Sequence, residues 1–146
     1  MNLAVATTPN MTQSIIQTNL VGTIYCCQIF SPLMFRNKSG SIINFSTIAV
    51  PLGLKGESVY LASKAGIEGF SRSFAREAAD FNVRVNCIAP GPINTDLLKG
   101  VSSEQIDRIV SQQVIPKQFI PSDVCDLVEL LLDDKSASLS GQVLNV

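Results

Sequence analysis

From Thr12 to about Met34, apolar residues recur at helical spacing: Ile15, Ile16, Leu20, Ile24, Cys27 and Phe30. Pro32 is expected to kink or end that helix. Before it, Met1 to Asn10 carries no period and reads as loop. After the turn sequence NKSG, 37–40, comes SIINFST, 41–47, whose length and paired isoleucines predict a buried strand. IAVPLGLKGES, 48–58, holds Pro51, Gly53 and Gly56 and reads as a loop. A long helix is expected from about Ser58 to Phe81, with Ser58 as N-cap. Ala62, Ala65, Gly66, Gly69 and Phe70 fall on one side of it. A helical glycine costs roughly 1 kcal/mol relative to alanine, so this pair predicts close approach by another backbone. NVRVNCIAPG, 82–91, predicts a second strand ending in a Pro-Gly break. The stretch 92–100 is irregular. Ser102–Gln112 and residues 121–134 read as helices, the latter with only half a capping box, and GQVLNV, 141–146, reads as the start of a third strand.

Helices linking short buried strands predict an α/β fold with a parallel sheet and right-handed crossovers. Three strands are few for this much apolar helix surface, so the pattern reads as the second half of a larger sheet.

Composition narrows the chemistry. A chain of 146 residues suits one domain, and 46% hydrophobic against 16% charged residues describes a globular chain. The net charge of -1 comes without a basic block, so neither nucleic acid nor an anionic membrane is an expected partner. There is no histidine, which excludes a Ser-His-Asp triad, a Cys-His pair and the His-containing zinc sets. Cys26, Cys27, Cys87 and Cys125 form no C-x-x-C and read as thiols in a reducing cytoplasm, with no metal site. The first basic residue is Arg36, so no signal peptide is read. The most apolar run, Leu20–Phe30, is interrupted by Thr23 and Gln28 and falls short of the about 20 residues a bilayer needs. A soluble cytoplasmic location is the expectation.

The segment SVYLASKAG, 58–66, places Tyr60 and Lys64 about 6 Å apart along one helix face. A free phenol titrates near about 10 and is a poor base at neutrality. A neighbouring ammonium lowers that value and lets the phenol exchange a proton with an alcohol or carbonyl oxygen. The same spacing also occurs in solvated helix pairs, so three further features carry weight. Thr47 stands thirteen positions before Tyr60, at the end of the first strand, where a hydroxyl can hold the same oxygen. PGPINT, 90–95, breaks the second strand, and ligands of open parallel sheets bind beyond the carboxyl ends of strands. Asn19 lies mid-helix, where asparagine is unfavourable unless it has a hydrogen-bonding role. A capping threonine, an ordinary turn and a solvated asparagine are the plainer alternatives.

Together NLVGT, SIINFST, YLASKAG, VRVNCIAPGPINTD and SGQVLNV resemble, in order and spacing, the short-chain dehydrogenase/reductase family. The subgroup most resembled contains the 3-oxoacyl-acyl-carrier-protein reductases. The resemblance implies the C-terminal half of a Rossmann-type doubly wound parallel sheet. It also implies an NAD(P)-dependent oxidoreductase that moves hydride between nicotinamide and a carbonyl or alcohol carbon. Tyr60 would be the general acid/base. Lys64 would lower its pKa and bind the nicotinamide ribose, and Asn19 would support a water relay to Lys64. Thr47 occupies the position where most members have serine. Tyr60, Lys64, Pro90, Gly91, Ile93 and Thr95 would meet the nicotinamide end of the cofactor, with NADP expected ahead of NAD. Asp96 to about Gln113 matches the lid over the substrate. There Leu97, Leu98, Val101, Ile106 and Ile109 either line an acyl path or pack as an ordinary amphipathic helix. The implied substrate is a small carbonyl or alcohol compound, foremost a 3-oxoacyl thioester carried on acyl carrier protein in fatty acid biosynthesis. A secondary alcohol or sugar of a related dehydrogenase is the alternative. The resemblance also implies a homodimer or homotetramer.

None of the nine glycines forms the family's pyrophosphate-binding turn. Residues 1–146 are therefore expected to be a partial domain, without the N-terminal dinucleotide-binding half and the extreme C-terminus, and inactive alone. A truncated, non-catalytic association module is the reading from a different class.

Overall fold

The computed structural model describes residues 2–98 and 100–146, with Leu97 described by its backbone alone. Three parallel strands, β1 (Gly40–Phe45), β2 (Val83–Ala89) and β3 (Val143–Asn145), lie in the order β1-β2-β3. The α/β class and parallel sheet expected from the helix–strand alternation are what the chain adopts. β2 is central and buried at every position except the half-buried Arg84. That burial suits the apolar residues of VRVNCIA, while Asn86, buried among them, donates to the Leu139 carbonyl at 2.8 Å.

The first helical stretch is longer than its periodicity suggests. It starts with α1 (Pro9–Ile16), passes through a π-helical turn at Gln17–Val21, and continues as α2 (Gly22–Asn37). Residues 1–10 are thus not all loop. Thr8 caps α1 by accepting from the Met11 N–H at 3.3 Å, and Pro9 takes the first helical position, where its missing donor costs nothing. Nor does Pro32 end the helix, which runs on to Asn37. It stops at Lys38, whose left-handed backbone (φ 49°) satisfies the last carbonyls. The loop after β1 contains one turn of helix, α3 (Ala49–Leu52).

The long helix α4 (Ser58–Ala79) carries the core: Ile67, Phe74, Ala75 and Ala78 are buried on its inner face. Its N-cap is Glu57 rather than Ser58, which is the first helical residue. Phe74, Ala75 and Ala78 cluster with Cys27 of α2 and with Val83 and Val85 of β2, flanked by Phe35 and Phe70. Phe35 and Phe81 stack at 4.4 Å and Phe70 and Phe74 at 5.3 Å. A buried polar string crosses the same layer: Cys27 Sγ donates to Asn44 Oδ1, and Asn44 Nδ2 donates to Ser71 Oγ at 2.9 Å.

Beyond β2 come α5 (Ser103–Val110), capped by Ser102, and α6 (Pro121–Leu132). The N-cap of α6 is Ile120, and the carboxylate of Asp123, three residues on, reaches back to accept from its N–H at 2.8 Å; Ser122 takes no part. Leu131 of α6 is fully buried, and its carbonyl accepts from Ser41 Oγ at 2.9 Å, which docks the helix on β1. No helix among the described residues is long and apolar enough to cross a membrane.

Of the two glycines in α4, Gly66 alone marks a close approach, and by a side chain rather than a backbone. A Cβ there would meet Leu20 at 2.8 Å, while one at Gly69 would meet nothing within 4 Å. Gly69→Ala is therefore expected to raise stability by about 0.5–1 kcal/mol, the ordinary helical difference. Gly66→Ala should gain less or lose. Urea unfolding of both variants checks this, and a Gly66→Ala more stable than Gly69→Ala would contradict the packing described.

Candidate active site

β1 and β2 end together. Past Phe45 the chain stays against β2: the Ser46 N–H donates to the Ile88 carbonyl at 2.7 Å and the Ile48 N–H to that of Pro90 at 3.0 Å. Thr47 lies between these two bonds, beside the Pro90–Gly91 break. A crevice of about 620 Å³ opens at this end of the sheet. Thr47, Tyr60 and Lys64 line it together, as do Pro90, Gly91, Ile93 and Thr95. Seven of the eight site residues expected from the sequence therefore share one cavity.

Tyr60 and Lys64 lie on one face of α4, as the spacing required. The Lys64 ammonium stands 5.8 Å from the centre of the Tyr60 ring, and donates to the Phe45 carbonyl at 3.0 Å. The electrostatics differ from the sequence expectation. Tyr60's pKa is raised, first by burial and then by the Glu57 carboxylate one turn earlier. Burial lowers that of Lys64. With its ammonium committed to a backbone carbonyl, Lys64 does not pull the phenol down in this state. The phenol keeps its proton.

The two adjacent hydroxyls have different surroundings. Ser46 is buried, and its Oγ donates to Glu68 Oε1 at 2.7 Å. Thr47 Oγ1 accepts from the Ala49 N–H at 3.2 Å, and its own hydrogen has no acceptor among the described residues. Thr47 is therefore the hydroxyl that can donate into the crevice.

Asn19 does not line the cavity. It sits in the π-helical turn, a distortion that often accompanies functional sites. Its Nδ2 donates to Ser63 Oγ at 3.0 Å, and Ser63 Oγ donates to the Tyr60 carbonyl at 2.6 Å. Asn19 thus braces the turn of α4 that carries both Tyr60 and Lys64, without touching either side chain.

Gly91 anchors the Pro90–Thr95 loop, its N–H donating to the Val146 carbonyl at 2.7 Å. Leu98, Val101, Ile106 and Ile109 face the crevice from above, so α5 turns its apolar stripe inward; the Leu97 side chain lies outside the described residues. Met11 and Ile15 of α1 line the cavity too. Sequence reasoning missed Ser63, Glu57 and Glu68. Their signal was spacing: Glu57 precedes Tyr60 by three residues and Glu68 follows Lys64 by four, both helical neighbours. No group of His, Cys, Asp and Glu side chains that could hold a metal occurs among the described residues. The cysteines are free, and burial pushes the Cys87 thiol up to about 11.

Comparison with known proteins places this geometry. A family model described as enoyl-(acyl carrier protein) reductase matches residues 2–146. The 3-oxoacyl-[acyl-carrier-protein] reductase FabG of Staphylococcus aureus (strain Mu50) is 36% identical over 132 residues, 90% of this chain and 54% of the relative. FabG of Chlamydia muridarum is 38% identical over 135 residues, 91% of this chain and 54% of its own. Among solved structures, the 3-oxoacyl-[acyl-carrier protein] reductase of Brucella melitensis superposes with a TM-score of 0.92 at 27% identity, over 99% of this chain and 55% of that one. ElxO with NADP bound superposes at 0.89 and 28% identity, over 100% of this chain and 60% of its own. The chain spans about half the length of the curated relatives it matches.

The raised Tyr60 pKa is directly measurable. In a Tyr25→Phe background, which leaves Tyr60 as the only phenol, the phenolate absorbance band should titrate above the ordinary value of about 10. Glu57→Gln removes a negative charge that disfavours the phenolate, so it should move the midpoint down. An unmoved midpoint would show that burial alone sets it.

Proposed function

Because the chain belongs to the short-chain dehydrogenase/reductase family, we propose that it forms the proton-transfer and nicotinamide side of an NAD(P)-dependent oxidoreductase site, acting on a 3-oxoacyl thioester. One observation carries this reading: Thr47, Tyr60 and Lys64 converge on one crevice at the carboxyl ends of two parallel strands. A lone Tyr-x-x-x-Lys pair on a solvated helix face would not do so.

Each residue has a task that its surroundings suit. The cofactor supplies hydride when bound. Tyr60, held protonated by burial and by Glu57, donates its phenolic proton to the substrate oxygen as negative charge grows there. Thr47 donates its free hydroxyl hydrogen to the same oxygen and shares that charge. Lys64 is the only cation in the crevice among the described residues. Once off the Phe45 carbonyl, its ammonium stabilises the phenolate left on Tyr60 and meets the ribose hydroxyls. Gly91, Ile93 and Thr95 would hold the nicotinamide from the β2 side. ElxO was solved with NADP, which favours NADP over NAD here. The apolar wall from α1 and α5 suits an acyl chain, in line with the substrate named for the FabG relatives.

The test joins this chain behind the preceding part of the Staphylococcus aureus reductase and follows NADPH consumption with a 3-oxoacyl thioester. Tyr60→Phe keeps the ring packing but cannot exchange a proton, so kcat should fall about 10²- to 10⁴-fold. A variant with half the parental kcat would sink the assignment. Turnover of a secondary alcohol but not the thioester would make the substrate class wrong.

The same chimera separates the two hydroxyls. Thr47→Val should cost far more kcat than Ser46→Ala, and Thr47→Ser should stay near the parent. The reverse ranking would put the substrate oxygen on Ser46.

A further inference from the structure

We propose that Glu68 is a positioning residue, which holds Thr47 in register with Tyr60 through the Ser46 hydroxyl. This rests on the reading of Thr47 as the residue that binds the substrate oxygen. Glu68 lies one helical turn beyond Lys64 on α4, yet points inward and is only 8% exposed. A buried carboxylate is costly unless its oxygens are well satisfied. Glu68 Oε1 accepts from Ser46 Oγ at 2.7 Å, while Oε2 faces the largely exposed Arg72 guanidinium at 3.5 Å. The shorter and more buried contact is the one to Ser46.

Ser46 is the first residue beyond β1 and precedes Thr47 directly. Its N–H is tied to β2, at the Ile88 carbonyl, and its hydroxyl is tied to α4, at Glu68 and within 3.4 Å of the Lys64 carbonyl. The two tethers come from different elements. One sets the strand end against the sheet, and the other sets it against the helix turn that carries Lys64. Thr47 therefore stands at a defined distance from Tyr60, the geometry a shared substrate oxygen demands. An apolar side chain at position 68 would fill the space but could not hold Ser46.

Two measurements test this, one of them independent of activity. In the 146-residue chain, Glu68→Leu should raise amide hydrogen exchange about tenfold at Ser46 and at Ala49, whose N–H bonds Thr47, and leave Val85 of β2 unchanged. Glu68→Gln keeps an acceptor for Ser46 and should restore protection. No rise, or an equal rise at Val85, would overturn the proposal. In the chimera, the Ser46→Ala/Glu68→Leu double variant removes both polar partners, so no buried group is left unpaired and the melting temperature should stay near the parent. Its kcat should still fall about tenfold, with KM for the thioester nearly unchanged. Parental kcat in that variant overturns the proposal, as does a kcat loss that Glu68→Gln shares in full. An unmutated chimera that fails to turn over strikes the functional reading alone, because the exchange measurement does not use activity.

Discussion

The parallel pairing of β1 with β2, carried past the end of β1, is the constraint on which this site depends. Six residue pairs, from Gly40↔Val83 to Phe45↔Ile88, set the register. Two more backbone bonds, from Ser46 and Ile48, extend it into the loops. Parallel strands share one direction, so their carboxyl ends finish side by side and their exit loops must diverge around a gap. Thr47 leaves on one side of that gap and Pro90–Gly91 on the other. A one-residue slip would turn Thr47 into the core and Ser46 outward. Burial of β2 at every position but Arg84 opposes such a slip.

The second requirement is that α4 present Tyr60 and Lys64 to this gap, which its packing ensures. Phe74, Ala75 and Ala78 seat the far end of the helix on the sheet. Near its start, Gly66 admits Leu20, and Ser63 takes the hydrogen bond of Asn19. The π-helical turn at Gln17–Val21 puts an extra residue into that part of the first helical stretch, and Asn19 lies within it. An asparagine unfavourable in a regular helix thus has a structural use, bracing from behind the turn of α4 that carries Tyr60 and Lys64.

Burial has opposite effects on two ionisable groups of the crevice, Tyr60 and Lys64. It makes the phenolate and the ammonium both costly, raising the pKa of Tyr60 and lowering that of Lys64. Glu57 adds to the first effect. The result is a phenol that holds its proton, beside a lysine whose charge is satisfied by a main-chain carbonyl. Glu68, also buried, is satisfied by Ser46 and Arg72, and its charge lies behind the strand end. Of these three acidic and phenolic groups, only Tyr60 and Glu57 line the crevice.

By itself the sequence determined the class of fold, the broad order of its elements and several of the residues that line the crevice. Periodicity reports which face of each element is buried, and β2 is legible from its apolar residues because a central parallel strand is covered on both sides. The Tyr-x-x-x-Lys spacing placed both side chains on one face because helical geometry leaves no alternative, and the thirteen-residue offset pointed to Thr47, which lines the crevice. Local signals were weaker at the ends of elements. Pro32 and Ser58 have strong intrinsic preferences, yet a left-handed Lys38 and the conformation of Glu57 decided where those helices stop and start. Only the tertiary structure could decide what the polar groups touch. That Lys64 bonds the Phe45 carbonyl, that Ser46 is committed to Glu68, and that Asn19 reaches Ser63 rather than the crevice all depend on distances between segments far apart in the chain. The direction of the Tyr60 pKa belongs there too. Desolvation and the nearest charge set it, and both come from packing, which no spacing along the chain can express.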